Sequence, residues 1–507
     1  MVDQSMPLST RRMWLAGMVM ALSNFMIVLD TAIANVAVPH IAGSLAISPD
    51  QGTWVITSYA VAEAICVPLT GWLAARFGTV RCYIFCMTGF AFFSFLCGTS
   101  VTLGMLVACR IGQGISGGPI MALTQTLLLR VFPPRLRGAA MGLWAMTAVA
   151  APVAGPLLGG TISDTWSWHW VFLINLPVAA FCITGAIILL RSVETPTRKD
   201  PIDAIGLALL VTWVGALQIM LDIGRDYDWF GSTAIWVLAI VAGVGFLFFL
   251  VWELTAEHPV VDLRVFRHRG FTVAAFSMAF IYAFFFAAIV VTPQWLQSFL
   301  GYTATWAGYV IAWQGAFAVV SAPLIGRLLN RVDPRAMVST GVLWLAFSMW
   351  LRWNWTPDAD YWTFALPHLL NGFGMPAFFV PITMLAMSSV LPAETASAAG
   401  LQNFLRTLSG AVGTAVATTL WIDHEQSARA SLVDTARPPA DWFDRLATMG
   451  YNADQARAML SNMVEQQAVA LATVHLFQIT TVVLVFSAAF IWLVPKPKRM
   501  VTGGGGH

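Results

Sequence analysis

Charged residues are scarce in this sequence. Of its 507 residues, 27 are Lys or Arg and 25 are Asp or Glu, so charged residues make up 10%, compared with about 25% in soluble domains. Hydrophobic residues make up 58% and aromatic residues 12%. So few polar groups could not cover the surface of a soluble enzyme, and the aromatic content excludes disorder. A formal net charge of +2 also argues against a nucleic-acid binder. A membrane protein remains.

The sequence also lacks the groups that would supply energy or redox chemistry. It has no G-x-x-x-x-G-K-[ST] phosphate-binding loop, and its eight His are scattered. The six cysteines lie in or beside apolar runs of the first half, where thiols act as small apolar side chains. Cys82 and Cys86 are one helical turn apart, but no His or carboxylate joins them as a metal set. We expect no disulfide, no metal, no cofactor and no enzyme activity, and an ion gradient as the energy source.

Apolar runs long enough to cross a bilayer recur along the whole chain. About 20 mostly apolar residues span the hydrocarbon core as a helix, and continuous runs disfavour a β-barrel. The sequence predicts fourteen spans: Met13–Val36, Gly52–Ala74, Val80–Gly98, Met105–Leu129, Gly138–Ile162, Trp170–Leu190, Ala204–Leu221, Thr233–Trp252, Phe271–Pro293, Thr303–Leu328, Ala336–Leu351, Trp362–Val390, Ala396–Trp421 and Val469–Leu493. We expect the first to be a retained helix and not a cleaved signal peptide.

Basic residues between the spans predict the orientation. Nineteen of the 27 Lys and Arg fall at one set of span ends and six, including Arg352, at the other. The basic set should face the cytoplasm, and both termini belong to it. The predicted domains are a six-helix bundle (1–195), a linking helix pair (196–262), a second six-helix bundle (263–500) and a flexible Gly-rich tail (501–507). The longest loop, 424–467, then faces outward, either as a solvated loop or as a docking element for a periplasmic partner.

Four charges lie well inside the predicted spans: Asp30, Glu63, Arg110 and Arg406. Charges at mid-bilayer are costly and mark functional sites by default. The two acids and two bases could form ion pairs that merely hold helices together. Alternatively, Asp30 or Glu63 could carry a proton, with Arg110 tuning its affinity. The sequence does not say which carboxylate titrates.

Gly and Pro cluster inside the fifth span. Pro152, Gly155, Pro156, Gly159 and Gly160 follow one another closely. Pro removes a helical hydrogen bond, and Gly at four-residue spacing lets two helices approach closely. The cluster predicts a tight packing seam, a hinge between helical bundles, or both.

Several motifs resemble those of one family. The first span contains LDTAIANVAVP (29–39), similar to L-D-x-T-I-x-N-V-A-x-P, and the second begins QGTWVITSY (51–59). The fourth contains RIGQG (110–114), similar to the R-x-x-Q-G motif assigned to proton coupling, and the fifth G-P-x-x-G-G (155–160). Two further motifs are DAIG (203–206) and NFLRTL (403–408). The chain resembles the fourteen-span drug:H+ antiporters of the major facilitator superfamily over essentially its whole length.

One departure from the family pattern concerns the loop after the second span. The family reads G-x-L-A-D-R-x-G, where this chain has GWLAARFG with Ala75 in place of Asp. The resemblance nonetheless assigns gating roles to Gly71, Arg76, Gly78 and Arg81. A second-half copy, which keeps an acid, contains Arg327, Arg331 and Asp333.

The resemblance implies two six-helix halves that rock about a central cavity. It places Gln113 and Arg406 with Asp30, Glu63 and Arg110 in proton coupling. Apolar, aromatic and Met side chains suit varied ligands, and the candidate cavity residues are Asn35, Trp144, Met146, Phe284, Phe285, Trp313 and Phe379. Expected partners are hydrophobic drugs, protons, the lipid bilayer, a periplasmic adaptor of the EmrA type and an outer-membrane channel of the TolC type.

Three functions are compatible with a membrane protein of this kind. The leading one is proton-coupled export of hydrophobic drugs and toxicants across the bacterial inner membrane, as the pump of a tripartite system. The second is export of one specific metabolite, such as a fatty acid, bile salt or siderophore. A non-transporting receptor or scaffold is disfavoured, because kinked gating motifs have no purpose there.

Overall fold

A computed structural model describes residues 9–198, 201–329, 331–435 and 442–495. In these ranges the chain forms α-helices and short 3-10 turns, with no β-strand. The prediction of an all-α polytopic membrane protein is confirmed. The predicted tail, 501–507, lies outside the described residues.

Eight helices form the first half of the chain. Their starts carry ordinary caps: Ser48 and Gln51 form a capping box, and the Thr102 side chain accepts from the backbone N–H of Met105. The helices are α1 (Thr10–Ser44), α2 (Pro49–Cys66), α3 (Thr70–Phe77), α4 (Thr79–Cys97), α5 (Leu103–Val131), α6 (Arg137–Thr165), α7 (Trp170–Leu173) and α8 (Asn175–Leu189).

Nine helices make up the rest. The linking pair is α9 (Ala204–Ile223) and α10 (Thr233–Thr255). The second half contains α11 (Arg269–Ser298), α12 (Ala304–Leu328), α13 (Pro334–Leu351), α14 (Tyr361–Ser388), α15 (Thr395–Thr435), α16 (Trp442–Thr448) and α17 (Ala453–Phe490).

Each of the fourteen predicted span positions is helical, but two are broken. The second span divides into α2 and α3, which are bent by 60° around Pro68, a residue without a backbone N–H. The fifth is bent by 43° between Pro134–Pro152 and Leu157–Ser163. The sixth is interrupted only between α7 and α8 and still forms one span, Trp170–Leu189. Within the described residues, nine helices are long and apolar enough to cross a membrane by themselves, or up to eleven if each bent pair is one span. The number fourteen and the orientation therefore stay predictions.

The two halves repeat the same packing scheme. In the first half α1 packs on α6, and α5 packs on both α2 and α4. In the second half α11 packs on α15, and α14 packs on both α12 and α13. By their places in this scheme, α4 corresponds to α13 and α5 to α14.

The halves meet along two unequal seams. Along one, α6 lies directly on α12, and a Cβ added to Gly138 or Gly142 would collide with the backbone of Gly326 or Ala322. Along the other, α15 touches α3 closely but α2 only slightly, and α9 lies against both α2 and α15. The second seam is therefore partly covered by a linking helix.

The predicted outward loop is mostly helical. With 41 and 38 residues, α15 and α17 are about 60 Å and 57 Å long, nearly twice the hydrocarbon thickness. They pack on each other, and the ring of His424, just after the apolar part of α15, stacks at 3.9 Å on that of His475 in the apolar part of α17. The helix expected at Ala453–Val464 is the beginning of α17.

Candidate functional site

A completely buried ion pair joins α1 to α5. The Nη1 of Arg110 donates to Oδ2 of Asp30 at 2.7 Å, and both side chains are 0% exposed. Either charge alone at this depth would be strongly destabilising. The structure thus brings together two of the four predicted intramembrane charges.

Neutral polar groups complete the coordination of Asp30. Gln113, one turn along α5, donates to Oδ1 of Asp30 at 3.0 Å, and its own Oε1 accepts from Arg110 at 2.8 Å. Asn175 at the start of α8 donates to the same Oδ1 at 2.6 Å. Ser94 on α4 accepts from Gln113 and Asn175, and donates to the carbonyl of Phe172 at 2.8 Å. Helices α1, α4, α5 and α8 therefore meet at one carboxylate.

The guanidinium of Arg110 is also held from α2. Its Nε donates to the carbonyl of Val55 at 3.0 Å, and its Cζ lies 4.1 Å from the Tyr59 ring centroid. The Phe172 ring lies on another side at 5.6 Å. An ion pair, hydrogen bonds and cation–π contacts together hold the Arg110 side chain in place. A proton placed on Oδ2 of Asp30 would remove the counter-charge of Arg110 and weaken its Nη1 contact to Asp30, while the contact to Gln113 remains. Protonation and the position of Arg110 are therefore linked.

Glu63 and Arg406 do not form the corresponding second pair. Arg406 is among the charges that act electrostatically on Glu63, but no ion pair or hydrogen bond to the Glu63 carboxylate is found within the described ranges. Glu63 is half-buried on α2. It is therefore the more accessible of the two predicted carboxylates.

Arg406 lies instead among apolar side chains where the two halves meet. It is 7% exposed, its Nη2 contacts the sulfur of Met121, and its Cζ is 5.8 Å from the ring centroids of both Trp144 and Tyr282. The Tyr282 ring in turn packs against Phe379 at 5.7 Å. Two candidate cavity residues, Trp144 and Phe379, are thus near Arg406.

The remaining candidate cavity residues are dispersed. Phe285 is fully buried in α11, whereas Phe284 packs on the exposed Phe280. Met146 is half-buried and Asn35 exposed. Trp313 donates to the hydroxyl of Tyr361 at 3.0 Å, in a pocket of about 390 Å³ lined by Trp306, Tyr309, Ala312, Trp313, Ala316 and Tyr361. The structure does not bring these five into one wall with Trp144.

Polar side chains bridge the halves close to Arg406. Gln125 of α5 donates to Gln402 of α15 at 3.2 Å and accepts from Asn403 at 2.8 Å. Gly71 of α3 lies so close to Ser397 that an added Cβ would collide with it. All these contacts lie toward the ends that carry the basic loops, so in this structure the halves are closed together at that end.

The first-half loop motif obtains its carboxylate from elsewhere in the chain. Gly78 has φ +91°, and a Cβ there would collide with the Glu194 carboxylate. Glu194 accepts from the backbone N–H groups of Val80 at 3.0 Å and Arg81 at 2.9 Å, which favours an anion at the start of α4. Arg81 is exposed, and Arg76 lies 5.7 Å over the Trp72 ring. Glu194 thus supplies a carboxylate to a loop that has Ala75 where the family has Asp.

The second-half copy is capped locally. Asp333 precedes α13, accepts from the backbone N–H of Arg335 at 3.0 Å and pairs with the Arg335 side chain at 3.1 Å. Arg327 and Arg331 are exposed nearby. Corresponding helices α4 and α13 therefore both begin at a carboxylate.

The Gly and Pro cluster of α6 faces α1 through its glycines. A Cβ on Gly155 would collide with Ala32, and one on Gly159 would lie 3.1 Å from the carbonyl of Ile33, while Gly160 has open space. Pro152 is half-buried, and the Pro156 side chain lies outside the described part. The helix bends by 43° between its two segments, Pro134–Pro152 and Leu157–Ser163. Close packing and a bend thus occur together, against Ala32 and Ile33, two and three residues from Asp30.

No described feature forms a catalytic or metal site. Among the described residues no cluster of three His, Cys, Asp or Glu could hold a metal ion, and the six cysteines are buried free thiols. The letters G-x-S-x-G occur at Gly114–Gly118, but this stretch is continuous helix. There Ser116 donates to the Gly112 carbonyl at 3.0 Å, unlike the strand-to-helix turn of a nucleophile elbow.

Sequence reasoning missed two participants in the Asp30 network. Asn175 and Ser94 are single polar residues within apolar runs. A polar side chain inside a predicted span was the one sequence signal that could have identified them. Arg352, counted above among the six basic residues of the outward span ends, lies at the end of α13 and is fully buried.

Comparison with known proteins agrees with this architecture. The family model described as Major Facilitator Superfamily matches residues 20–414. The chain is 40% identical over 510 residues to "Multidrug export protein EmrB" of Escherichia coli K12, covering 100% of both chains. It is 39% identical over 492 residues to "Fatty acid resistance protein FarB" of Neisseria gonorrhoeae, covering 96% and 97% respectively.

A solved structure of low sequence identity shares the fold. The crystal structure of the human organic anion transporter MFSD10 superposes with a TM-score of 0.58 at 16% identity, covering 93% of this chain and 99% of that chain. The two-bundle arrangement seen here therefore has an experimental counterpart.

Proposed function

The chain belongs to the major facilitator superfamily, and from that premise we propose that it exports hydrophobic drugs and toxicants in exchange for protons. The proposal places it as a multi-pass protein of the bacterial inner membrane that draws on the proton gradient and needs no cofactor. The observation that carries it is the buried Asp30–Arg110 pair, together with full-length similarity to a multidrug export protein.

Proton coupling is proposed to act through Asp30. Three donors on two helices converge on its carboxylate, and a proton would displace the strongest of them. Release of Arg110 would loosen α5 from α1 and from the Val55 carbonyl of α2. Helix α1 also packs on the bent α6, which lies on the seam between the halves. Loosening of α1 from α5 would therefore affect the packing of α6 at that seam.

Substrate is proposed to bind between the halves near Arg406. Trp144, Tyr282 and Phe379 offer aromatic area there, and Met121 offers a side chain that adapts its shape. The half-buried Glu63 lies within electrostatic range of Arg406. An acid and a base within an aromatic cavity would accept both cationic and weakly acidic hydrophobic molecules.

Drug-driven proton movement in proteoliposomes tests the coupling role. Purified protein is reconstituted with a pH indicator, a panel of hydrophobic drugs is added, and Asp30→Asn is compared with the unmodified protein. We expect at least a ~100-fold loss of drug-driven proton release, because the amide cannot cycle between charged and neutral forms. Unchanged proton release in Asp30→Asn would disprove the role of Asp30.

A matched control separates loss of coupling from general damage. Glu257→Gln removes an exposed carboxylate in the segment after α10 and should retain full activity. Drug binding, followed by quenching of intrinsic Trp fluorescence, should persist in Asp30→Asn.

A second candidate is export of one particular metabolite. It is favoured by the 39% identity to a protein named for fatty acid resistance. A competition screen on the purified protein distinguishes the two: one tight ligand among many weak ones supports a dedicated exporter, and a broad set of similar affinities supports multidrug export.

We further propose an adaptor of the EmrA type and a channel of the TolC type as partners. The contact we assign is the outer part of α17, where Met459 and Met463 are 44% and 49% exposed beside Tyr451. They line a groove of about 440 Å³ with Gln455, Ala458, Asn462 and Gln466. Flexible Met side chains on an exposed helix face suit docking to another helix.

Co-purification tests this contact without deleting the long helices. The double variant Met459→Gln and Met463→Gln should reduce recovery of the adaptor at least ~10-fold, whereas Arg457→Gln, on another face of α17, should not. Equal recovery of adaptor with the double variant would remove the proposal. Transport in proteoliposomes, which lack the adaptor, should be unaffected by either.

A further inference from the structure

Three buried amide side chains join the two halves of the molecule. Gln125 of α5 donates through its Nε2 to Oε1 of Gln402 at 3.2 Å, and its own Oε1 accepts from Nδ2 of Asn403 at 2.8 Å. Both partners lie on α15, and all three residues are only 1–2% exposed. We call Gln125, Gln402 and Asn403 the amide clasp.

The amide clasp lies one helical turn from the proposed substrate position. On α5, Gln125 follows Met121 by four residues, and on α15, Gln402 precedes Arg406 by four. Because Nη2 of Arg406 contacts the sulfur of Met121, the two contacts lie one above the other along the same pair of helices. The clasp is nearer to the end with the basic loops, where α5 ends and α15 begins.

Small residues bring the halves together between the clasp and that end. A Cβ added to Gly71 of α3 would collide with Ser397 of α15, and one added to Gly400 would lie 3.1 Å from the carbonyl of Val67. Helix α15 therefore packs tightly on the first half here. A molecule that enters between α5 and α15 from this end has to part these contacts and the clasp before it reaches Arg406.

Amide groups suit a contact that opens and closes. In the closed state they satisfy one another, and in an open state water can satisfy the same donors and acceptors. A charged pair would cost much more to bury, whereas an apolar contact would specify no particular alignment of the two helices. The hydrogen bonds of the clasp therefore favour closure by a modest amount and leave it reversible.

Building on the transport function proposed above, we propose that Gln125, Gln402 and Asn403 form the inward gate of the transport path. Their hydrogen bonds hold the halves together at the end with the basic loops, and their rupture admits substrate to Arg406. They are positioning residues, because they set the relation of α5 to α15. Polar side chains also hold membrane helices together permanently, but these three join two halves that have to separate in a rocking cycle.

Thiol accessibility just behind the clasp measures the opening of the gate. Met121→Cys places a thiol one turn beyond the clasp, and a membrane-impermeant anionic methanethiosulfonate is added to vesicles from the side of the basic loops. We expect Gln125→Leu to speed labelling ~10-fold, which corresponds to about 1.4 kcal/mol, because leucine leaves two buried amides unpaired in the closed state. The protein without Met121→Cys, whose six free cysteines are buried, gives the background.

The side of labelling separates gating from general loosening. Gln125→Leu should slow labelling from the opposite side, since fewer molecules are then open on that side. The matched control is Thr126→Val, because the Thr126 hydroxyl donates to the Ala122 carbonyl of its own helix at 2.8 Å; labelling should not change. Equal rates in Gln125→Leu and Thr126→Val, or faster labelling from both sides in Gln125→Leu, overturn the proposal.

A cross-link tests the gate even if Gln125→Leu does not fold. The double variant Gln125→Cys and Asn403→Cys, joined by a short bifunctional thiol reagent, should lose drug-driven proton release and regain it on reduction. Full release after complete cross-linking overturns the gate. The two proposals fail separately: an unmodified protein without drug-driven proton release contradicts proton-coupled export, whereas labelling of Met121→Cys requires neither drug nor proton gradient.

Discussion

The two halves use the same helix packing but balance their buried charge differently. Arg110 in the first half has a carboxylate, a glutamine and a backbone carbonyl as acceptors. Arg352 in the second half has one long contact to a hydroxyl among the described residues. The starts of α4 and α13 also differ in the source of their carboxylate. The start of α4 is bound by Glu194, which is distant in sequence, and the start of α13 by the adjacent Asp333.

This difference shows that a repeated backbone arrangement does not require a repeated distribution of charge. Packing depends on apolar area and small residues, which many sequences supply. A buried charge depends on one partner at one position. Coupling chemistry can therefore reside in one half while the other half keeps the same shape.

Removing Asp30 and removing Arg352 should have opposite consequences, and this is the largest effect we expect. Asp30→Leu leaves Arg110 uncompensated and should cost about 3–5 kcal/mol of stability. Arg352→Met removes a charge that has no carboxylate partner among the described residues, so it should cost nothing or stabilise. Thermal unfolding of the two variants measures both. The comparison would fail if both variants lost stability equally.

The helix-start carboxylates provide a smaller contrast. Glu194→Gln removes an anion that accepts from two backbone N–H groups of α4 and joins α4 to the segment after α8, and should cost about 1 kcal/mol. Asp333→Asn keeps a good capping side chain and should cost only a few tenths of a kcal/mol of stability. Melting temperatures of the two variants should therefore differ, and equal losses would contradict the distinction between a remote and a local cap.

The smallest effect concerns pH at the junction between α11 and α15. Partial burial acts to raise the pKa of Glu394, but the Leu391 N–H, His268 and Arg267 outweigh it, and the net pKa is lowered. A lowered pKa stabilises the fold above the ordinary Glu value of about 4.3, and this contribution disappears as pH falls through the folded-state pKa.

Comparison of the unmodified protein with Glu394→Gln isolates this contribution. Their difference in melting temperature should be constant from pH 7 to about pH 5 and shrink at lower pH. A difference that grows on acidification would contradict the assignment. Because the site is partly solvated, salt should reduce the effect.

Much of the fold followed from the sequence because continuous apolar runs specify spans directly. The positions of all fourteen predicted spans are helical, and the Asp30–Arg110 pair formed from two of the charges singled out in advance. A charge inside an apolar run is conspicuous, and so is its need for a partner.

What the sequence did not reveal depends on three-dimensional placement. Asn175 donates to Asp30 from another helix, and Ser94 accepts from Asn175 and Gln113; no spacing along the chain relates either residue to Asp30. Arg352 follows an apolar run and resembles a loop residue in sequence, whereas α14 and α17 cover it. A Glu63–Arg406 pair was one of the pairings open, but Arg406 lies among Met121, Trp144 and Tyr282.

The length of α15 has a mechanical consequence. It is one unbroken helix of 41 residues, so the segment that carries Arg406 and the segment beyond the apolar core belong to the same rigid rod. A tilt of about 10° displaces the far end of a ~60 Å rod by roughly 10 Å. Movement of the second half about its seam would therefore be amplified at the outer tip, with no hinge between to absorb it.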